Sequence, residues 1–300
     1  MSADASPGEF DGDSSNSHEI VDGDKAGGLI ILCDHASNAL PDTYGDLGVE
    51  RAELERHIGY DIGVEALGRA LARRFRAPAV LSRFSRLLID PNRGEDDPTL
   101  IMRLSDGAVV PGNARVDDLE RERRLNLYYR PYHTAVTRLI DDCLAAGRPP
   151  VLLSLHSYTA VWRGSHRPWH CGLLWDRDPR LAEPMITRLA LEAGLRVGDN
   201  EPYSGSLKND TMYRHGTSRG LAHGLLEVRN DLIEDPAGIL QWTDRLEAVL
   251  RDILPEPSLY EIRHYGSLSD EADYRPAPGG RANDNRSEAD VYRQDHADRA

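Results

Sequence analysis

Apolar residues along this 300-residue chain fall into short unbroken runs separated by longer stretches of helical period. "GGLIILCD" (27–34), "PPVLLSLHSYT" (149–159) and "AHGLLEVRNDL" (222–232) are nearly continuous apolar runs, as expected of strands covered on both faces. "APAVLSRF", "RLLIDPN", "HCGLLWD" and "LRVGDN" read as further strands, with Pro91 ending the second. Between the first two runs, residues 49–75 carry an apolar stripe at Ile62, Ala66, Leu67, Ala70 and Leu71. Gly59 and Gly63 break that stretch into two helices around Asp61. Residues 117–147 are helical with a break near Pro131, "PRLAEPMITRLALEAG" is a helix opened by proline and closed by glycine, and 236–254 form a closing amphipathic helix. Residues 94–115, rich in Gly, Asp and Pro, read as a surface loop. Strand and helix alternate, which predicts an α/β domain whose mostly parallel sheet is covered by helices on both faces.

The formal net charge of −14 argues against a nucleic-acid partner and against binding to anionic membrane surfaces. Residues 1–27 hold seven acids and one lysine, with few apolar residues, and are expected to be a disordered acidic tail. They show no basic segment followed by an apolar one, so no secretory leader is expected, and no apolar run is long enough to span a membrane. Cys33, Cys143 and Cys171 form no CxxC pair, as expected of a reduced, cytoplasmic chain. The polar, Asp- and Arg-rich residues 263–300 read as a second disordered tail, leaving 28–262 as one folded domain.

In a parallel sheet, ligands gather beyond the carboxyl ends of the strands. Three predicted strand ends carry polar groups there: Asp34-His35, His156-Ser157 and Glu227. Neutral imidazole is a favoured zinc ligand, and catalytic zinc usually takes three protein ligands and a water. His35 and His156 are the best histidine candidates. Asp61, between glycines that permit an unusual backbone, is the preferred third ligand; Asp34 competes, but is read as the partner that orients a ligating imidazole. Glu227 is then the candidate general base, against the alternative of an ion pair with an arginine. Arg93, after Asn92 at a predicted strand end, can grip an anionic substrate; Arg86 is either a second anion contact or a partner for Asp90. His215 is a candidate substrate contact or turn cap, while His57, His166, His223 and His296 read as solvated or packing residues.

"DHASNALP", "GYDIG", "SRLLIDPNR", "YYRPYH", "LSLHSYT", "GDNEPYSG", "RHG" and "GLLEVRNDL" follow one another in this order. Together they resemble the N-formylglutamate amidohydrolase family over roughly residues 28–254. The resemblance implies a three-layer α/β/α, phosphorylase/hydrolase-like fold shared with zinc carboxypeptidases. It implies zinc-dependent hydrolysis of the N-acyl amide of a small anionic amino acid, typically N-formyl-L-glutamate. It places His35, His156 and Asp61 at the metal, Glu227 at the catalytic glutamate, and Asn92 and Arg93 at a substrate carboxylate. Carboxypeptidases use a His-x-x-Glu pair, whereas the third position after His35 is Asn38. A carboxypeptidase-like or other N-acyl amino-acid hydrolase is the alternative activity, and a non-catalytic small-molecule binding protein the alternative class.

Overall fold

The unbroken apolar runs form the middle of a sheet. The computed structural model of the protein describes residues 17–271. The strands of its main sheet are β1 (His18–Val21), β2 (Leu29–Cys33), β3 (Ala79–Ser82), β4 (Val151–Tyr158), β5 (Cys171–Leu174), β6 (Val197–Asp199) and β7 (His223–Arg229), in the spatial order β1-β3-β2-β4-β7-β5-β6. Strands β3, β2, β4 and β7 run parallel, and every residue of β2 and β4 is buried. Strand β1 is antiparallel to β3, and β5 is antiparallel to β7 with β6 parallel beside it, so the sheet is mixed.

The helices are α1 (Arg51–Leu54), α2 (Val64–Phe75), α3 (Asp118–Arg124), α4 (Arg130–Ala145), α5 (Pro179–Leu189), α6 (Thr211–His215) and α7 (Pro236–Ile253). An aspartate caps the amino end of four of them: Asp117, Asp178, Asp210 and Asp235 each accept a backbone N–H of the first turn. Helices α2, α5 and α7 pack on one face of the sheet, where Leu67, Leu71, Leu246 and Leu250 are fully buried. Each such leucine contributes about 1.5–3 kcal/mol of burial. Helix α4, the π-helical turn Leu125–Tyr129 before it, and Met212 of α6 cover the other face. This is the α/β/α sandwich expected from the strand-helix alternation. No helix among the described residues is long and apolar enough to cross a membrane.

The structure corrects the expected boundaries. Residues 17–27, assigned to the acidic tail, belong to the fold, because β1 pairs with β3 and Glu19 is neutralised by Arg69 and Arg83. Residues 263–271, assigned to the other tail, are also held: Arg263 N–H bonds Gly220 O at 2.8 Å and Leu268 N–H bonds Asp176 Oδ1 at 3.0 Å. The remaining tail residues, 1–16 and 272–300, lie outside the described residues. "RLLIDPN" is not a strand. Leu87–Ile89 are buried, but side chains take the carbonyls a neighbouring strand would use: Asn113 Nδ2 donates to Leu87 O and Arg124 Nη1 to Leu88 O.

Candidate metal centre and its cleft

Period-two alternation aims the polar strand-end residues at one face. On β4, Val151, Leu153 and Leu155 enter the core under α2, α5 and α7, whereas Leu152 faces α4; Ser154 and His156 therefore share the α4 side. On β7 the same reasoning places Glu227 with Leu225, and beyond β2 it places Asp34 with Ile30 and Leu32. Glu227 sits opposite His156 in register and Leu32 opposite Ser154, so the polar groups form a row at adjacent carboxyl ends.

Asp61 arrives from the break between α1 and α2. Its N–H bonds His35 O at 2.9 Å. The two flanking glycines are needed for steric reasons: a Cβ on Gly59 would lie 2.3 Å from Leu54 O, and Gly63 has φ +82° with Ile233 O 2.1 Å from where its Cβ would be. Both imidazoles then converge on one oxygen. His156 Nδ1 lies 2.8 Å from Asp61 Oδ2, and His35 Nδ1 lies 3.3 Å from it.

Each ring is held from behind by a second carboxylate. Asp90 Oδ1 takes His35 Nε2 at 2.7 Å, and Asp34 Oδ2 takes His156 Nε2 at 3.0 Å. Asp34 thus steadies His156 and not His35, its neighbour in sequence. It also accepts from Tyr132, Ser154 and Thr211. Burial opposes its charge, but the His156 hydrogen bond and Tyr132 hold its carboxyl below the usual carboxylate range. Burial likewise opposes the charge on Asp90, which the Arg86 charge and the hydrogen bond from His35 keep ionised. For His156, burial favours the neutral ring, but hydrogen bonds to Asp34 and Asp61 raise it to about 10.

Glu227 is 7% exposed, and its Oε2 is buried without a hydrogen-bond partner. Burial pushes its carboxyl up to about 7, against the opposing charge of His156. It lines one cleft together with Asp61, His156, Arg86, Asn92 and Arg93. Asn92 is oriented by Thr211 N–H on its Oδ1 at 3.2 Å. Arg93 donates to Thr99 Oγ1 at 3.2 Å and Asn92 O at 2.7 Å, while Tyr129 holds the Arg93 carbonyl. Arg86 takes the ion-pair alternative: it donates to Asp90 Oδ2 at 2.8 and 3.2 Å and to Asp61 Oδ1 at 3.3 Å. Asn38, in place of the carboxypeptidase glutamate, donates to Leu54 O.

His215 does not reach the cleft. It is buried in α6, stacked on His133, whose Nδ1 lies 2.9 Å from His215 Nε2. His57, expected to be solvated or packing, packs edge-on to Trp162 in the lining of the cleft, which His223 also joins. Sequence reasoning also missed Asp210, a buried cleft carboxyl that burial raises to about 7, and Thr211 beside it. The run "NDT" after a polar loop and before a short helix was the available signal, and it marks a helix cap as readily as a site.

The donor set fits a small divalent cation. Donors bound about 2.0–2.1 Å from a tetrahedral zinc lie about 3.3 Å apart, and the two imidazoles sit at comparable distances from Asp61 Oδ2. His35, Asp61 and His156 form a buried group whose ligand atoms all lie within 4.8 Å of one another, able to hold a metal ion. Carboxylates behind both rings are the usual companions of ligating histidines.

The sequence model of the N-formylglutamate amidohydrolase family matches residues 27–234. The chain belongs to this family. A crystallised gene product from Agrobacterium tumefaciens is 32% identical, with a TM-score of 0.76, over 82% of this chain and 97% of that one. The N-formylglutamate amidohydrolase from Ralstonia eutropha JMP134 is 24% identical, with a TM-score of 0.58, over 81% of this chain and 99% of that one, and shares the fold. No match is found among curated proteins. Membership of the N-formylglutamate amidohydrolase family makes the chain an amidohydrolase-type hydrolase acting on a small molecule.

Proposed function

We propose that this protein is a zinc-dependent hydrolase of the N-acyl amide of a small acidic amino acid, with N-formyl-L-glutamate the first substrate to test. The observation that carries the reading is the meeting of two imidazole Nδ1 atoms at one Asp61 oxygen, with the partnerless Glu227 Oε2 in the same cleft. His35, His156 and Asp61 would hold the ion. When bound, zinc polarises a carbonyl and lowers the pKa of a water towards neutrality.

The remaining steps belong to the chain's own side chains. Glu227 takes the water proton and returns it to the leaving amine, as a general base and then a general acid. Its buried, unpartnered oxygen is suited to both, because neither protonation state is fixed by a competing hydrogen bond. Arg93 and the Asn92 amide receive the substrate's carboxylate. Asp34 and Asp90 accept from Nε2–H of the two rings, so Nδ1, facing Asp61, is the nitrogen that would bind the ion, any proton on it leaving as the metal arrives. Glu227→Gln keeps the shape of the cleft and removes the base. Metal content should match wild type while turnover of N-formyl-L-glutamate falls about 10²–10⁴-fold. Unchanged turnover would exclude the role.

A further inference from the structure

An N-acyl acidic amino acid carries two carboxylates, and each needs a cation once it leaves water. The cleft supplies fewer free cations than its arginines suggest. Arg86 is already engaged by Asp90 and Asp61. Arg93 bonds a hydroxyl and a carbonyl, not a carboxylate. Among the described residues around the cleft, Arg167 is in the same condition: its side chain donates to Thr159 O at 3.4 Å and has no carboxylate within ion-pair distance.

What holds Arg167 is aromatic. Its guanidinium lies 5.0 Å from the ring centre of Tyr203, 5.1 Å from that of Trp162 and 5.5 Å from that of Tyr158, and all three residues line the cleft. Its backbone N–H is tied to Ala160 O at 2.9 Å. It directly follows a two-stranded ribbon, Val161–Trp162 against Ser165–His166. The ribbon's two-residue turn, Arg163-Gly164, has φ +49° and +79°, the handedness that matches strand twist. Because this ribbon leaves the carboxyl end of β4, it stands over the same sheet edge as His156. A guanidinium against ring faces is restrained and weakly hydrated, and its in-plane N–H edge remains able to take a carboxylate bidentately.

We propose that Arg167 anchors a second substrate carboxylate, so that Arg93 and Arg167 together select a dianionic N-acyl amino acid over a monoanionic one. This rests on the acyl-amino-acid hydrolase reading. The second carboxylate can sit on the amino-acid side chain or on the acyl group, and the substrates chosen separate the two.

The test uses zinc-loaded wild type, Arg167→Met and Arg167→Lys. The substrates are N-formyl-L-glutamate, N-succinyl-L-glutamine and N-formyl-L-glutamine, which carry the second carboxylate on the side chain, on the acyl group and nowhere. Kinetics give kcat and KM separately, and calorimetry in the Glu227→Gln background gives affinities without turnover. Wild type should favour one dianion over N-formyl-L-glutamine. Arg167→Met should cut that preference at least tenfold, mainly through KM and Kd, and Arg167→Lys should restore part of it. Equal losses on all three compounds, or an unchanged preference, would overturn the proposal. If wild type turns over none of them, the hydrolase reading fails, and calorimetry still decides: a dianion preference lost in Arg167→Met upholds the anchor, and no preference or no binding refutes it.

Discussion

Replacing Asp90 by asparagine tests how the centre is held together. Asp90 Oδ1 accepts from His35 Nε2 at 2.7 Å and from Asn92 N–H at 2.9 Å, while Oδ2 accepts from Arg86 at 2.8 and 3.2 Å. Backbone and guanidinium N–H groups cannot turn round to accept. An amide NH2 therefore meets a donor in either orientation. Facing Asn92, it also asks His35 Nε2 to accept, which moves the imidazole proton to Nδ1, the nitrogen aimed at Asp61. Facing Arg86, it leaves the guanidinium with Asp61 alone. Breaking a fully buried pair costs about 3–5 kcal/mol. Arg86 is 17% exposed and keeps Asp61, so the lower end, about 3 kcal/mol, is expected. Zinc affinity should fall about 10–100-fold through the lost support of His35. Asp34→Asn is the comparison. Tyr132, Ser154 and Thr211 are hydroxyls that can rotate, and an amide oxygen at the Oδ2 position still accepts from His156 Nε2, so its expected cost is about 1–2 kcal/mol. Urea denaturation and zinc titration of the two variants measure both quantities. An Asp90→Asn protein within about 1 kcal/mol of wild type, or an Asp34→Asn protein damaged more, would refute this account.

Three further outcomes are expected. Gly63→Ala forces a Cβ towards Ile233 O at a positive φ and should cost at least about 2 kcal/mol and weaken zinc binding, both read by denaturation with and without metal. Burial depresses His215 to about 3, with the Arg214 charge adding to it. Above about pH 6.5 both folded and unfolded chains hold the ring neutral; below it the unfolded chain takes a proton the folded chain refuses, so stability falls from about pH 6.5 towards pH 3. The ceiling is about 5 kcal/mol, and His215→Gln should flatten the slope in pH-dependent urea titrations; an unaltered slope would exclude this ring as the cause. Finally, free zinc at about 100 times its Kd should stabilise the wild type by about 2.7 kcal/mol, a gain that a chelator abolishes and that His156→Ala lacks. A melting temperature indifferent to chelator would contradict the metal assignment.

Much of this architecture was legible along the chain. Leu29–Cys33 and Val151–Tyr158 are buried at every position, and such strands announce themselves because covering both faces requires an unbroken apolar run. The amphipathic helices were legible for the same local reason. Strand β1 was not: its acid looks like tail sequence until Arg69 and Arg83, distant in the chain, neutralise it. "RLLIDPN" misled in the opposite direction, since its apolar residues are buried but its carbonyls go to Asn113 and Arg124.

The same division runs through the site. Which residue types stand at the strand ends, and that His156 and Glu227 face one side, follow from the order of residues, because side chains alternate with a period of two. Which carboxylate supports which imidazole does not follow. Asp34 passes over its neighbour to His156, and Asp90 crosses 55 residues of sequence to His35. Arg86 is drawn into that network, and His215 is carried to a buried pair with His133. Hydrogen bonds act over about 3 Å, so these choices depend on how loops cross above the sheet, which no local pattern of residues encodes.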